Sequence, residues 1–264
     1  MRLDQLLVER GLAETRTRAQ ALILGGKVRV GEGDAARRDH KPGDQLDPVA
    51  THVSVEQPEP YVSRGGHKLA AALDAFGIDP TGAIGLDVGA STGGFTDVLL
   101  QRGASRVYAV DVGRGQLAET LRRDPRVVSM ERTNARTLTA TSLPEMVDLV
   151  VIDVSFISLT IVLPAIATTL APGASIVALV KPQFEAGKGR TDKGVVRDPA
   201  VHREVLERVT ASAAEVGLGT RAVIASPILG PDGNREFLVH LAMGPGCAEL
   251  AERIIEVTAP VTAP

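Results

Sequence analysis

The sequence predicts an α/β protein in which a largely parallel sheet, covered by helices on both faces, follows a small α/β module. Two observations carry this prediction. Short, wholly apolar segments alternate with amphipathic helical stretches over most of the chain, which is typical of strands buried on both faces. The first 60 residues instead follow the order helix, helix, strand, long loop, strand. With 264 residues, 44% of them hydrophobic, the chain is long enough for one ordinary core and a small additional one.

The N-terminal module is predicted to span residues 1–60. Apolar residues recur twice at helical spacing within residues 3–24, with Thr15 as the expected cap of the second helix, and two short alternating strands follow. Pro58-Glu59-Pro60 is expected to be a stiff spacer, because each proline restricts its own backbone and that of its neighbour. We therefore place the boundary between the module and the main domain at this spacer.

The main domain is predicted to span residues 61–264. Its strand candidates are Ile84–Val88, Arg106–Val110, Val127–Met130, Leu149–Ile152, Ser175–Leu179, Arg221–Ala225 and Glu236–Ala242. Its helix candidates are Lys68–Phe76, Thr96–Arg102, Gly115–Arg122, Leu159–Thr169 and Ala200–Val216. The last two strands leave no room for a helix between them, so they are predicted to form a closing antiparallel hairpin. The tail Thr258–Pro264 is expected to fray.

Composition limits the classes of function. The net charge of −3 excludes a generally basic nucleic-acid wrapper, so any such binding needs a local basic patch. Cys247 is the only cysteine, and no Cys/His cluster has metal-binding spacing, so we expect a cytoplasmic protein without a metal. The N-terminus lacks the pattern of a signal peptide, and the most apolar stretch, Val147–Leu163, carries Asp148 and Asp153. We expect no membrane segment, and a monomer in the absence of an oligomerisation signal.

The strongest local signal is the glycine-rich turn after the first main-domain strand. It reads Gly89-Ala90-Ser91-Thr92-Gly93-Gly94-Phe95, which is neither a dinucleotide fingerprint nor a phosphate-binding loop. Asp111 and Val112 follow the next strand, where a carboxylate can accept both hydroxyls of an adenosine ribose. S-adenosylmethionine has that ribose and no phosphate, so it is the predicted cofactor. The alternative is a glycine turn with a structural role only. It is disfavoured because the strand, the loop, the helix and the second strand with its acidic end follow one another in the order that a cofactor site requires.

Asn134 follows the third strand within Glu131-Arg132-Thr133-Asn134. A polar cluster at this edge of the sheet could hold the adenine ring of the cofactor, with Asn134 as the contact. The same four residues could equally form a solvated loop, and the sequence does not decide between the two.

Four further polar residues follow or precede elements that end at the same edge of the sheet. Asp153, which is also expected to contact the cofactor, begins Asp-Val-Ser-Phe, not the Asn/Asp-Pro-Pro-aromatic turn common in enzymes that methylate amino groups. The only cysteine lies near the C-terminus, so the nucleophile for methylating a base carbon is missing. Lys181 directly follows a buried strand and needs a partner or a role there. Glu236 starts the last strand, and Lys68 lies at the start of the first helix.

These four residues together indicate transfer to a hydroxyl. Removing a proton from a ribose 2'-hydroxyl requires a base, and a lysine serves only in its neutral form, which burial and a second cation favour. Lys68 is expected to supply that second charge beside Lys181. Asp153 and Glu236 are expected to orient the ammonium groups and the hydroxyl. Each residue alone is more commonly a surface charge, so the prediction depends on their joint placement.

The motifs as a set resemble the TlyA family of ribosomal RNA 2'-O-methyltransferases, some of which carry the older name hemolysin. The motifs that match are SRGGHKL, LDVGASTGGFTDVLL, ERTNAR, DVSFISL, LVKPQFE and GPDGNREF. The main domain is also similar to the FtsJ/RrmJ-type enzymes, which implies a Rossmann-like class I methyltransferase sheet and a Lys-Asp-Lys-Glu tetrad. Matched motif by motif, the tetrad is Lys68, Asp153, Lys181 and Glu236, with Lys181 as the base. The resemblance implies cytidine targets in the small and large ribosomal subunits.

The N-terminal module resembles a small RNA-binding domain shared by a small-subunit ribosomal protein and many pseudouridine synthases. Residues 1–41 contain nine Lys/Arg against six Asp/Glu. Basic side chains expected to bind RNA phosphates are Arg2, Arg10, Arg16, Arg18, Lys27, Arg29, Arg37 and Arg38 in the module and Arg64 in SRGGHKL. Such a cluster can also be merely a solvated face. The junction departs from the family, because Glu59 offers no positive charge there.

Two other classes of function remain open. A membrane-active cytolysin would fit the older family name, but the sequence offers neither a spanning helix nor a basic amphipathic helix for it. An RNA-binding ribosome assembly factor with an inactive methyltransferase fold is disfavoured by the intact tetrad and cofactor loop. Binding of S-adenosylmethionine distinguishes this last possibility from an enzyme.

Overall fold

The computed structural model describes residues 1–33, 36–56, 59–187 and 189–260. The chain divides into two compact units, Met1–Pro60 and Tyr61–Pro264. Pro58 of the expected spacer and the part of the expected frayed tail beyond residue 260 lie outside the described residues. Each unit is built around its own hydrophobic core.

The first unit has the order of elements that the sequence predicts. Its elements are α1 (Leu3–Glu9), α2 (Arg16–Leu24), β1 (Val28–Val30) and β2 (Val53–Val55). The two strands pair antiparallel. Thr15 caps α2 as predicted, because its side chain accepts a hydrogen bond from the backbone N–H of Arg18 at 3.2 Å. The core is formed by the apolar faces of both helices and the inner residues of the strands.

The second unit is built on a twisted sheet of seven strands, counted over the described residues. The strands are β3 (Ile84–Val88), β4 (Arg106–Val110), β5 (Val127–Met130), β6 (Val147–Ile152), β7 (Leu170–Val180), β8 (Leu218–Ala225) and β9 (Phe237–Met243). Their order is β5-β4-β3-β6-β7-β9-β8, and β9 runs antiparallel to both of its neighbours. The predicted α/β fold with a closing hairpin is confirmed.

Helices cover both faces of this sheet. They are α3 (Gly65–Phe76), α4 (Gly94–Gln101), α5 (Glu119–Arg122), α6 (Leu159–Ala167), α7 (Pro182–Glu185), α8 (Pro199–Glu215) and α9 (Leu250–Thr258), with a 3₁₀ turn at Ala135–Thr137. Alternate strand residues point to opposite faces, so Val150 and Ile152 share a core with α6 and α8, whereas Leu149 and Val151 pack with α3 and α4. This two-sided burial explains the wholly apolar strands.

The structure corrects several predicted boundaries. Helix α5 is shorter than predicted at its N-terminal end. Gly115, the predicted first residue, has a φ of +67°, which a right-handed helix does not contain. Strand β9 begins at Phe237, so Glu236 precedes the strand that it was expected to start. Helix α9 was not predicted, and the expected fraying is wrong at Thr258, which is buried at the end of α9. The Arg235 guanidinium donates to the last carbonyl groups of this helix.

Among the helices that the described ranges contain, none is long and apolar enough to cross a membrane.

Candidate active site

The glycine-rich turn lies at the carboxyl end of β3, where a parallel sheet opens a crevice for ligands. Gly89 has a φ of +85°, and its N–H donates to the Val110 carbonyl at 2.8 Å. A side chain at Gly89 would overlap the backbone carbonyl of Asp153, so glycine is required for the close approach of the two loops. Ser91 also adopts a positive φ, of 48°, which is uncommon for a residue other than glycine.

Two cavities lie along this edge. The larger, of about 840 Å³, is lined by Gly89, Ser91, Asp111, Val112, Asn134 and Asp153 among the predicted cofactor residues. The smaller, of about 350 Å³, is lined by Ala90, Thr92, Gly94, Phe95 and Arg64, together with Lys68, Asp153, Lys181 and Glu236. Gly89, Ser91, Asp153 and Ser155 line both. The crevice therefore has two compartments that meet at these shared residues.

Gly93 lines neither of these two cavities. A side chain there would overlap Leu117 and Leu121, so this glycine allows the turn to pack on the segment that leads into α5. Gly94 has a similar role on the other side, since a Cβ would lie 3.0 Å from the Gly66 N at the start of α3. Gly93 thus serves the packing of the turn and does not face either cavity, whereas Gly94 both packs on α3 and lines the smaller cavity.

Asp111 is fixed from two sides at the end of β4. Its Oδ2 accepts from the Ser91 N–H at 2.8 Å, and its Oδ1 accepts from the Gly113 N–H at 2.6 Å. A carboxylate has about four acceptor positions, so capacity for two hydroxyl donors remains. Asn134 instead caps the 3₁₀ turn by accepting from the Arg136 N–H at 3.1 Å, while still lining the larger cavity.

The four residues of the tetrad form two ion pairs. Lys68 Nζ donates to Glu236 Oε2 at 2.5 Å, and both residues are buried. Lys181 Nζ lies 2.5 Å from Asp153 Oδ1. The charge of Lys68 is therefore compensated by Glu236, and each of the two ammonium groups lies against one of the carboxylates that were expected to orient them. Glu236 Oε1 is buried and has no hydrogen-bond donor among the described residues.

Ser155 is a site residue that the sequence argument missed. Its Oγ accepts a hydrogen bond from Lys181 Nζ at 2.9 Å, and it lines both cavities. The sequence held a signal for it, because Ser155 occupies a position of the Asp-Val-Ser-Phe turn where enzymes that methylate amino groups commonly have proline.

Phe156, the next residue, has a φ of +65° and is 90% exposed. Its ring lies 4.8 Å from that of Phe184. A strained backbone presenting an exposed ring at a cavity wall is a feature of binding sites.

Glu185, also missed, connects the two loops that carry the lysine–aspartate pair. Its buried carboxylate accepts from Ser158 Oγ at 2.6 Å and from the Leu159 N–H at 2.7 Å, at the start of α6. Because Glu185 ends α7, which directly follows Lys181, these bonds fix α7 against the loop that begins at Asp153.

Asp87 is a carboxylate inside the apolar strand β3 and lines the smaller cavity. Burial, with a smaller contribution from the charge of Asp153, raises the pKa of Asp87 to about 7, although Thr96 donates two hydrogen bonds to Oδ2. Oδ1 is buried without a donor among the described residues. Such an atom beside a cavity indicates a place for a ligand cation or donor.

The basic side chains of the first unit are less free than the sequence suggested. Arg10 donates to the Pro48 carbonyl, Arg29 donates to the Gly33 carbonyl, and Lys27 pairs with Glu56. Arg38 also pairs with Glu56, Arg37 pairs with Asp39, and Arg2 and Arg16 both bind Asp4. Arg18 is exposed, and its side chain has no partner among the residues described. An RNA phosphate that binds one of these paired side chains would therefore either displace its partner or meet a group that the partner already orients.

Each of the two units matches a known protein family. The model of the FtsJ-like methyltransferase family matches residues 61–243, and that of the S4 domain matches residues 1–32. YqxC of Bacillus subtilis (strain 168), named provisionally as an rRNA methyltransferase, is 50% identical over 91% of this chain and 85% of its own length. TlyA of Mycobacterium tuberculosis, named as a 16S/23S rRNA (cytidine-2'-O)-methyltransferase, is 50% identical over 91% of this chain and 89% of its own.

A solved structure from Streptococcus thermophilus, which carries a provisional hemolysin name, is 45% identical with a TM-score of 0.75. The match covers 98% of this chain and 94% of that one. A solved structure provisionally described as an S-adenosylmethionine dependent methyltransferase, from Listeria monocytogenes, shares the fold at 15% identity and a TM-score of 0.51. That match covers 69% of this chain and 99% of the other.

Proposed function

Because the chain belongs to the FtsJ-like methyltransferase family, and within it to the TlyA group, we propose that it methylates the 2'-hydroxyl of a cytidine in ribosomal RNA. The observation that carries the proposal is the junction of two cavities at Asp153 and Ser155. One compartment has the acidic strand end that suits a ribose-bearing cofactor. The other contains both lysine–carboxylate pairs, which suit activation of a hydroxyl.

The residues along the larger cavity fit S-adenosylmethionine as the cofactor. Asp111 retains acceptor positions for the two ribose hydroxyls, and Gly89 lines the cavity beside it. Asp87 lines the smaller cavity, and its unsatisfied Oδ1 would accept from the cofactor's α-ammonium where the methionine end of the cofactor extends past the residues that line both cavities. When bound, this cofactor supplies a methyl group on a positively charged sulfur atom. The supporting observation is that the carboxylate of Asp111 and the unsatisfied, buried Oδ1 of Asp87 both lie next to the glycine-rich turn.

Lys181 is the residue we assign to take the proton of the 2'-hydroxyl. Its Nζ is held between Asp153 and Ser155 at the junction of the cavities, so its direction is fixed. In its neutral form it accepts the proton at Nζ, and Asp153 then stabilises the resulting ammonium. Most of the rate would come from holding the hydroxyl oxygen in line with the methyl group.

Lys68 and Glu236 also line the acceptor compartment. Since Glu236 uses Oε2 for Lys68, its unsatisfied Oε1 is available to accept from a hydroxyl of the substrate ribose. The exposed ring of Phe156, which lines the larger cavity next to Ser155, offers a surface on which the target base can stack once it leaves its helix. In the proposed mechanism these side chains hold the nucleoside, and no step requires a metal ion.

The first unit is assigned to RNA binding, with ribosomal RNA or ribosomal subunits as the partner. Its matched S4 domain and its arginines support this role, and exposed Arg64 beside the acceptor compartment would extend it to the second unit. An enzyme acting on ribosomal RNA works where subunits are assembled, so we place it in the cytoplasm. We propose a monomer as its working form.

Cofactor affinity is expected to rise with pH as Asp87 loses its proton. The charged carboxylate attracts the cofactor's ammonium, which stays protonated below about pH 7. Since the pKa of Asp87 is raised to about 7, titration calorimetry with S-adenosylmethionine between about pH 5.5 and 7 should show tightening of up to about tenfold. Asp87→Asn should flatten this dependence, whereas the exposed carboxylate variant Asp79→Asn should retain it. An unchanged slope in Asp87→Asn contradicts the assignment.

The same raised pKa has a consequence for the free protein. From the ordinary value of 3.8 up to about 7, the folded state binds more protons at Asp87 than the unfolded chain does. The contribution of Asp87 to the free energy of unfolding therefore falls as pH rises through this window.

Labelled methyl transfer to purified subunits tests the proposed substrate. Subunits from cells that lack the modification are incubated with the enzyme and methyl-labelled S-adenosylmethionine, and RNA is then separated from protein. We expect label in the RNA of one or both subunits. Label in protein only, or none, contradicts the proposal, and leakage of dye from liposomes in place of methyl transfer would favour a cytolysin.

A further inference from the structure

A buried carboxylate in the first unit binds two of the arginines expected to contact RNA. Asp4, on α1, has a fully buried side chain. It accepts from Arg2 Nε at 3.0 Å and Arg2 Nη2 at 3.1 Å, from Arg16 Nε at 2.9 Å and from Gln20 Nε2 at 2.8 Å. The hydrogen bonds from Arg2 are the largest cause that holds the pKa of Asp4 well below its usual range, so Asp4 stays charged.

The two arginines use different edges of their guanidinium groups. Arg2 gives its whole Nε–Nη2 edge to Asp4. Arg16 gives only Nε, and its Nη1 and Nη2 have no acceptor within the part of the chain that the structure describes. The Arg16 side chain is 50% exposed. Its Nη1–Nη2 edge is therefore a planar pair of donors that faces away from Asp4.

A guanidinium edge of this kind matches two oxygens of a phosphate group. A free arginine loses rotamer freedom when it binds, whereas a side chain already held through Nε loses less. Gln20 lies one helical turn after Arg16 on α2 and binds the same Asp4 oxygen, which further restricts the geometry. The group is thus both charged and oriented before any ligand arrives.

We propose that Asp4 is a positioning residue for RNA binding, fixing Arg16 so that its Nη1–Nη2 edge binds one phosphate of the ribosomal RNA. The inference rests on the proposed function, which supplies RNA as the partner. Arg16 would thereby differ from the arginines that provide only positive charge, because it is oriented before RNA binds. Arg18 is the contrast within α2, because it is exposed and its side chain has no described partner.

Lysine substitutions separate orientation from charge, because lysine keeps the positive charge but lacks the two-donor edge. Binding of the full-length protein to unmodified subunits is measured by filter retention at several salt concentrations. Arg16→Lys is expected to weaken binding about tenfold, the scale of a lost bidentate, charge-assisted contact. Arg18→Lys, the matched control, should change it less than about twofold. Equal, small effects of both variants would overturn the proposal.

Asp4→Asn tests the positioning role itself. It should weaken binding about as much as Arg16→Lys and lower the slope of log affinity against log salt by about one, the value for one phosphate contact. The double variant should bind no worse than Asp4→Asn alone, since both remove the same contact. Additive losses, or an unchanged salt slope, would contradict it.

Two further measurements keep the outcome clear. Thermal unfolding identifies a folding defect in Asp4→Asn, and in that case the Arg16→Lys and Arg18→Lys comparison decides. Methyl transfer by the wild-type protein is measured in parallel. If the wild type binds and methylates subunits while Arg16→Lys matches it in affinity, only this inference fails. If the wild type neither binds nor methylates them, the proposed function fails first.

Discussion

Replacing Lys181 with alanine is expected to reduce methyl transfer by about 10²–10⁴-fold, the usual contribution of a positioned general base. The reason is local, because Nζ is the basic group held at the junction of the two cavities by Asp153 and Ser155. Cofactor binding should persist, since Lys181 does not line the larger cavity. Turnover is measured with saturating subunits, and cofactor affinity is measured by calorimetry on the same preparation.

Arginine substitution makes this test more specific. Lys181→Arg retains the positive charge and much of the length but cannot lose its proton under these conditions, so it should be nearly as inactive as the alanine variant. Lys193→Arg, at an exposed lysine outside the cavities described above, is the matched control and should retain turnover. Near-normal turnover in either Lys181 variant would remove this residue as the base.

Breaking the Lys68–Glu236 pair is expected to give the largest loss of stability of any change proposed for this chain. Lys68→Met leaves the buried Glu236 carboxylate without its counter-ion, which should lower the free energy of unfolding by about 3–5 kcal/mol. The double variant Lys68→Met/Glu236→Leu removes both charges and should recover most of that loss. Its methyl transfer should nevertheless stay about a hundredfold or more below the wild type, because the acceptor compartment has lost its polar wall.

Denaturant unfolding and labelled methyl transfer on the same variants separate the two effects. Arg123→Met is the control, since its exposed pair with Glu119 should contribute less than about 1 kcal/mol. A Lys68→Met variant as stable as the wild type would show that the pair is not buried as described. An active double variant would show that these two side chains serve only the fold.

Much of the fold could be predicted because burial on both faces leaves a clear pattern in sequence. Strands β3 and β4, which are buried over most of their length, have the predicted bounds, and so does the edge strand β5, although its residues are partly exposed. Helix α9 was missed because it is short and follows a Gly-Pro-Gly segment at residues 244–246, which reads as the start of a loose tail. Its stability depends on contacts far along the chain, including Arg235 on its last carbonyl groups.

The site could be predicted as a set of residues but not as a set of contacts. Lys181 and Asp153 follow parallel strands, and parallel strands end at one edge, so their proximity follows from topology. Which lysine pairs with which carboxylate depends on side-chain directions across separate loops, so the pairs Lys68–Glu236 and Lys181–Asp153 become evident only in the structure. A buried strand acid such as Asp87 is inconspicuous in sequence because its role appears only when its unsatisfied oxygen is located.

Arginines in the first unit illustrate a further limit. Counting charges treats Arg16 and Arg18 as equivalent, although one is bound to a buried carboxylate and the other is not. The difference depends on Asp4, twelve residues from Arg16 and on another helix.

The identity of the methylated nucleoside tests the central claim most directly. Unmodified subunits are treated with the enzyme and labelled S-adenosylmethionine, and their RNA is digested to nucleosides that are separated by chromatography. The account predicts label in 2'-O-methylcytidine, and its absence when Lys181→Ala is used. Label found on a base, with none on ribose, would contradict it.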